Sequence, residues 1–127
     1  MGLATEQSEQ ERIAEIIATQ NDQFRQTWGA DFTISGRIVM TRGVAELPPS
    51  AKVQIMQAVQ TFSDFTEDND PHGERDFGVF TIESEGKTLK LYWKFDLYNR
   101  DYDAGSETPH DLQMTRRVLT ILFPSDY

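Results

Sequence analysis

The hydrophobic positions along the chain predict two amphipathic helices. Apolar side chains recur at helical spacing from Ile13 to Phe24, behind a capping box formed by Ser8 and Glu11 that would satisfy free backbone N–H groups. This pattern predicts a first helix over residues 9–28. A second helix is expected over residues 50–64, where apolar side chains recur about every third residue after two prolines.

Strict alternation of apolar and polar side chains predicts a strand over residues 88–98. It follows a shorter apolar run at 79–83 and a turn at 84–87, so the two segments form a predicted hairpin. A further strand is expected over 37–41. Residues 117–123 fit either a buried strand or a short helix, and their β-branched content together with Pro124 favours the strand.

These elements predict an α+β fold with two helices packed on one face of a three- to four-stranded, mainly antiparallel sheet. We expect one domain over residues 1–127, with residues 1–7 disordered and with consecutive strands as neighbours in the sheet. Twelve apolar side chains are expected in the core. They are Ile13, Ile17, Phe24, Val39, Val59, Phe62, Phe80, Leu91, Trp93, Phe95, Leu119 and Ile121.

The amino-acid composition excludes several kinds of site and binding partner. The 127 residues include no cysteine, which excludes disulfides, thiolate metal sites and a cysteine nucleophile. Twelve basic against 21 acidic residues give a net charge of −9, which repels phosphate backbones and anionic lipid. We therefore expect no direct nucleic-acid binding and no membrane binding, and a protein partner with a basic surface fits better. Without a recognisable signal peptide, the expected location is the cytoplasm.

Negative charge is concentrated in one loop predicted from Pro, Gly, Asp and Asn residues. Residues 64–76, here called the acidic loop, hold six carboxylates and one arginine. Three interpretations stay open: a solvated loop whose polar side chains cap its own turns, a surface for a protein partner, or a divalent-metal or acid–base site. The candidate residues are Glu67, Asp68, Asn69, Asp70, His72, Glu74 and Asp76.

The metal alternative would use Asp68, Asp70, His72 and Glu74 as oxygen and imidazole ligands for a divalent cation. An EF-hand does not fit, because Val79 stands where that loop requires a bidentate glutamate. No cofactor is expected apart from this alternative.

The polar face of the predicted strand 88–98 is a second candidate surface. Its members Tyr92, Lys94, Asp96 and Tyr98 suit either a protein interface, including that of a homodimer, or a solvated sheet face. For Arg116 and Arg117, a structural role in pairing with the acidic loop is favoured over anion binding.

Several runs of the sequence resemble an uncharacterised bacterial family, the domain of unknown function 3768. The most specific is the run from Thr66 to Glu74, and the segments 47–49, 93–98 and 117–121 add to it. The resemblance implies a bacterial, intracellular, single-domain protein of the kind associated with mobile elements, and it implies no activity. It also implies a set of signature polar positions, namely Glu67, Asp68, Asn69, Asp70, His72, Gly73, Glu74, Asp76, Lys94 and Asp96.

The residues and the resemblance together predict a small acidic binding module that engages a basic host protein through its acidic loop. It would act as an accessory or antagonist protein of a mobile element. The alternative is a divalent-metal-dependent hydrolase built on the Asp, His and Glu side chains of the same loop.

Overall fold

The computed structural model describes residues 2–127, with side chains from residue 9 onward. Its helices are α1 (Gly2–Gln26), α2 (Arg42–Ala45) and α3 (Pro49–Thr61), and its strands are β1 (Gly36–Met40), β2 (Phe77–Ser84), β3 (Lys87–Tyr98) and β4 (Arg116–Leu122). A short 3₁₀ turn, Pro124–Asp126, follows β4. These elements confirm the α+β class. Met1 and the side chains of residues 2–8 lie outside the described residues. The predicted disorder of residues 1–7 stays a prediction.

The four strands form one sheet in the order β1-β4-β3-β2. β2 and β3 make the predicted hairpin, closed by Glu85 and Gly86, whose positive φ angles of 53° and 78° match the twist of paired strands. β3 and β4 are also antiparallel, so the mainly antiparallel sheet is confirmed. β4 is a strand, as its β-branched residues predicted.

The prediction that consecutive strands are neighbours is wrong for β1, which pairs in parallel with β4. The chain leaves β1 into α2 and α3, and β2 then begins at the opposite edge of the sheet. Alternation within each segment gives no information about such pairing. The short helix α2 was not predicted either.

Helices α1 and α3 cover one face of the sheet, as predicted. Leu91, Trp93 and Phe95 of β3 are buried against them, and Phe24 of α1 packs edge-on to Phe95 with ring centroids 5.7 Å apart. Nine of the twelve predicted core residues are buried, while Ile13 and Phe62 are half-buried. The prediction that Val39 lies in the core is wrong, because Ile38 and Met40 take the inward positions of β1 and leave Val39 39% exposed.

The helix boundaries differ modestly from those predicted. α1 begins at Gly2, so the Ser8–Glu11 box does not mark its start, and it ends two residues before Trp28. α3 ends at Thr61 and the chain then runs without helix or strand to Phe77, which confirms the predicted loop. Among the described residues, none of the helices is long and apolar enough to cross a membrane.

Candidate interaction surface

A buried arginine fixes the point where the acidic loop leaves α3. The guanidinium of Arg25 donates to the carbonyl oxygens of Val59 at 2.6 Å and Phe62 at 2.8 Å at the end of α3. The Val59 carbonyl also accepts the N–H of Phe62 at 3.4 Å. It also pairs with Asp22 at 3.0 Å and lies 5.1 Å from the centre of the Trp93 ring. Arg25 is 1% exposed, so α1 anchors the end of α3 inside the core.

Two polar side chains of the loop are used to fold the loop itself. The side chain of Asn69 accepts from the N–H of Thr66 and donates to the carbonyl of Asp64, both at 2.8 Å. A carboxylate oxygen of Asp70 accepts from the N–H of Arg75 at 2.9 Å. The turn-capping interpretation therefore applies to Asn69 and Asp70.

The second half of the loop is attached to α1. Nε of Arg75 lies 2.9 Å from a carboxylate oxygen of Asp22, and the Asn21 side chain donates to the carbonyl of Glu74 at 2.9 Å. Asp22 thus joins two arginines, one in the core and one in the loop. Because both contacts come from a long helix, the loop has a defined position relative to the sheet.

The prediction that Arg116 and Arg117 pair with the loop is wrong. Arg117 is fully buried and donates to the side-chain oxygens of Asn21 at 2.8 Å and Gln20 at 2.7 Å. Burial without a carboxylate partner lowers its pKa to about 10. Arg116 donates to carbonyl oxygens of its own segment. Arg117 therefore reaches the loop only through Asn21.

Other carboxylates of the loop have no internal partner. The side chains of Glu67, Asp68 and Glu74 make no hydrogen bond or ion pair with another described residue. Glu67 and Asp68 are exposed, as is His72, and Glu74 is half-buried. The loop is thus ordered by some of its polar groups and leaves others facing solvent.

Crowding of like charges is strongest at the end of the loop. Burial is the largest cause that raises the pKa of Glu74, and the charge of Asp76 raises it further. His72 opposes these effects, and Asp70 adds a smaller increase. Burial likewise raises the pKa of Asp76, with further increases from Asp70 and Asp96. Its own backbone N–H and His72 act in the opposite direction. Shifted carboxyl groups that meet at one surface mark a candidate functional site.

The acidic loop continues directly into the sheet face that the helices leave open. The carbonyl of Asp76 accepts from the N–H of Phe95 at 2.8 Å, and Asp96 beside it points to the open face, where it pairs with Lys94 at 2.7 Å. The two candidate sets found in the sequence therefore meet at Asp76 and Asp96.

Aromatic side chains occupy the neighbouring part of the open face. Tyr92 packs against Phe77 and against Tyr127, with ring centroids 5.2 Å and 6.0 Å away. Tyr127 is 79% exposed. Tyr98, the remaining predicted member, lies beside Tyr102 at 6.3 Å and is separated from this cluster by Lys94 and Asp96 along β3. We call the acidic loop together with Phe77, Tyr92, Lys94, Asp96 and Tyr127 the candidate surface.

The metal alternative gains no support from this geometry. In the part of the chain that the structure describes, no three His, Asp or Glu side chains are grouped so as to hold a metal ion. Of the four suggested ligands, Asp70 is already engaged by a backbone N–H. A divalent-metal site at Asp68, Asp70, His72 and Glu74 stays a prediction.

Sequence reasoning missed the residues that position this surface. Arg25, Asp22 and Asn21 lie on the predicted first helix, but their partners are 34 to 53 residues away and have no local signature. Tyr127 was also missed, because nothing near the end of the chain indicates that it folds back over β3.

Comparison with known proteins places the chain in one family. The family model described as a protein of unknown function (DUF3768) matches residues 40–126, which include the acidic loop, α3 and strands β2 to β4. Neither the curated proteins nor the solved structures gave a match. The acidic loop lies within the matched segment, and its anchors Asn21 and Asp22 precede it. Since the match covers well over half of the sequence, the chain belongs to the DUF3768 family.

Proposed function

We propose that this protein is a non-catalytic binding module whose candidate surface engages a basic protein partner. Two observations carry the proposal: the side chains of Glu67, Asp68 and Glu74 have no partner among the described residues, and the pKa values of Glu74 and of neighbouring Asp76 are raised. A lysine or arginine placed among them replaces repulsion between like charges with attraction. Binding of a basic partner therefore relieves the electrostatic repulsion among these carboxylates, which destabilises the isolated protein.

The aromatic part of the surface supports the same proposal. Tyrosine and phenylalanine supply large contact areas with few rotatable bonds, and interface centres are rich in them. Next to the ring of Tyr127, a cleft of about 190 Å³ is lined by Lys94, Leu122 and Asp126. We expect a partner that presents basic side chains to the loop and an apolar side chain to this cleft.

In its finer form, the proposal is that the protein acts in the bacterial cytoplasm as an accessory or antagonist protein of a mobile element. It would occupy the DNA-binding groove of a host protein by presenting DNA-like charge. The net charge of −9 and its concentration in one loop support this form. Competition with DNA for the same partner is its direct test.

The experiment compares two variants with equal change in charge. In the first, Glu67→Gln, Asp68→Asn and Glu74→Gln remove three loop carboxylates that hold no internal contact. In the control, Glu85→Gln, Asp101→Asn and Glu107→Gln remove three exposed carboxylates elsewhere. The partner captured by the wild-type protein from a bacterial lysate is purified, and its affinity for each variant is measured at two salt concentrations.

We expect the loop variant to lose at least about tenfold in affinity, equivalent to about 1.4 kcal/mol, and the control to lose far less. Equal affinity of the two variants would show that the loop is not the binding surface. Saturable binding of Mg²⁺, Mn²⁺, Ca²⁺ or Zn²⁺ by calorimetry, lost in the loop variant, would instead favour the hydrolase alternative.

A further inference from the structure

A cleft lined by basic and neutral residues, in contrast to the acidic candidate surface, lies where β1 and β4 begin. It has a volume of about 310 Å³ and is lined by Thr33, Ser35, Arg100, Leu112, Gln113 and Arg116. An adjoining cleft of about 340 Å³ shares Ser35 and Arg116 and extends to Tyr102. We call the first of these the arginine cleft. None of its lining residues belongs to the candidate surface.

The two arginines of this cleft are without carboxylate partners. Arg100 makes no side-chain hydrogen bond or ion pair with another residue in the described part of the chain, and Arg116 donates only through Nη1 to the carbonyls of Gln113 and Thr115. By contrast, the arginines at positions 12, 25, 42 and 75 all form ion pairs. Two arginines thus line one cleft without a carboxylate partner among the described residues, although carboxylates outnumber basic residues 21 to 12 in the chain.

A third guanidinium group, that of Arg37, contacts Tyr102 of the adjoining cleft. Arg37 stacks on the ring of Tyr102 at 3.9 Å, and Tyr102 holds a left-handed backbone with φ of 60°, which costs energy in a residue other than glycine. The N–H of Tyr102 donates to the carbonyl of Asn99 at 3.1 Å, which helps to fix this conformation. The short segment that carries Arg100 is thereby held against the sheet.

Among the described residues, one acidic side chain lines these two clefts, and its oxygens are already used. A carboxylate oxygen of Asp31 accepts from the N–H of Thr33 at 3.0 Å and from its hydroxyl at 2.6 Å, and these bonds lower the pKa of Asp31. Its other oxygen accepts from Gln23 at 3.3 Å. Asp31 therefore closes its own turn, and Arg100 and Arg116 keep donors for a ligand.

We propose that the arginine cleft binds a small phosphate-bearing anion. Guanidinium groups match the oxygens of phosphate in a bidentate manner, and the hydroxyl of Ser35 and the amide of Gln113 add neutral donors. The volume is at the lower end of the range for small-molecule pockets, which fits a phosphate on a small organic group. The net charge of −9 disfavours nucleic acid, whose many phosphates would meet the acidic remainder of the surface.

The test is a titration followed by amide chemical shifts at low ionic strength. The probes are inorganic phosphate, adenosine 5′-monophosphate, and acetate as a monocarboxylate control. We expect saturable shifts at Ser35, Arg100 and Gln113 with both phosphate compounds and none with acetate. Tighter binding of the nucleotide would identify an organic phosphate as the ligand class, and equal binding would identify phosphate itself.

Two variants and a control decide the assignment. Arg100→Gln and Arg116→Gln should each weaken phosphate binding about tenfold, since each removes a charge-assisted contact. Arg42→Gln, at a paired side chain that is 91% exposed, should leave binding unchanged. Arg100 is exposed, so its variant keeps the fold.

Absence of saturable shifts up to about 20 mM phosphate, well beyond a millimolar Kd, would overturn the proposal. So would wild-type affinity in the Arg100→Gln, Arg116→Gln double variant, or acetate binding as tight as phosphate binding. The triple variant of the acidic loop should bind phosphate like the wild type, so failure of this proposal and failure of the proposed function are separate results.

Discussion

Replacing Arg25 with methionine tests how the fold is held together at the start of the acidic loop. The side chain is 1% exposed and donates to Val59 and Phe62 at the end of α3, while it pairs with Asp22 of its own helix. Methionine reaches about as far as Nε of the arginine, so the substitution keeps the packing of the aliphatic part of the side chain while it removes the donors and leaves the space of the guanidinium head unfilled. The Phe62 carbonyl would lose the donor it has in the described structure, and the Val59 carbonyl would keep only the long bond from the Phe62 N–H at 3.4 Å.

The expected cost follows from these contacts. Each buried carbonyl that loses its donor costs about 1–3 kcal/mol, and the lost contact of the cation with the rings of Phe65 and Trp93 adds up to about 1 kcal/mol. Burial lowers the pKa of Arg25, which shows that the charge itself is held at a cost, and methionine removes that cost. The net loss in free energy of unfolding should be about 3–5 kcal/mol. For a chain of this size, Tm should fall by about 10–20 °C.

The assay is urea unfolding followed by circular dichroism and by tryptophan fluorescence, because Trp93 is fully buried beside Arg25. Arg42→Met is the matched control, since its guanidinium is exposed and pairs only with Glu46. It should change stability by less than about 0.5 kcal/mol. If Arg25→Met costs less than about 1 kcal/mol in the same assay, the carbonyls of α3 have found other partners and the reasoning fails.

Three further predictions test the sheet and the loop. Gly78→Ala should lower the free energy of unfolding by at least about 2 kcal/mol in thermal melts. A Cβ atom at this position would overlap Nε1 of the Trp93 indole and lie 2.6 Å from its Cε2. Stability within about 0.5 kcal/mol of wild type would contradict this prediction. Gln54→Ala should lower the free energy of unfolding by about 1–2 kcal/mol. The Gln54 amide donates to the carbonyl of Glu83 at 2.7 Å and accepts from its N–H at 3.1 Å, which pairs both groups on the free edge of β2. Unchanged hydrogen exchange of the Glu83 amide would refute this prediction. Asp76→Asn should raise Tm at pH 7. The pKa of Asp76 in the folded protein lies above the ordinary value of 3.8, so the folded state binds the proton more tightly than the unfolded state. The wild-type protein therefore loses stability as pH rises from 3.8 through the folded pKa, whereas the neutral amide does not. The gain in Tm should disappear below pH 3.8, and a variant less stable than wild type at pH 7 would contradict the assignment.

The elements predicted from the sequence were those whose burial is set within a single segment. β3 is the clearest case, because Leu91, Trp93 and Phe95 alternate with polar residues and each side chain records the face it occupies. The turn residues of the acidic loop were equally local, since Asn69 and Asp70 bond to backbone groups only a few residues away. Such contacts leave a pattern that can be recognised without knowing the rest of the fold.

What the sequence did not predict depends on contacts between distant segments. The pairing of β1 with β4 joins residues about 80 positions apart, and only that pairing fixes which face Val39 occupies. The same holds for the candidate site. The sequence identified the carboxylates of the loop and the polar face of β3, but their meeting at Asp76 and Asp96 depends on how β2 begins beside β3.

The distribution of buried charge connects the fold to the proposed surface. Among the described residues, the fully buried charged side chains are Arg25 and Arg117, and no carboxylate is buried to the same degree. Arg25 supports the end of α3, and Arg117 supports Asn21, which in turn holds the carbonyl of Glu74. Positive charge is thus used inside to position the acidic loop, and the exposed surface is left more negative than the composition alone indicates. Because this self-repulsion weakens the isolated protein, a basic partner should raise its Tm as well as bind it, and less so at high salt.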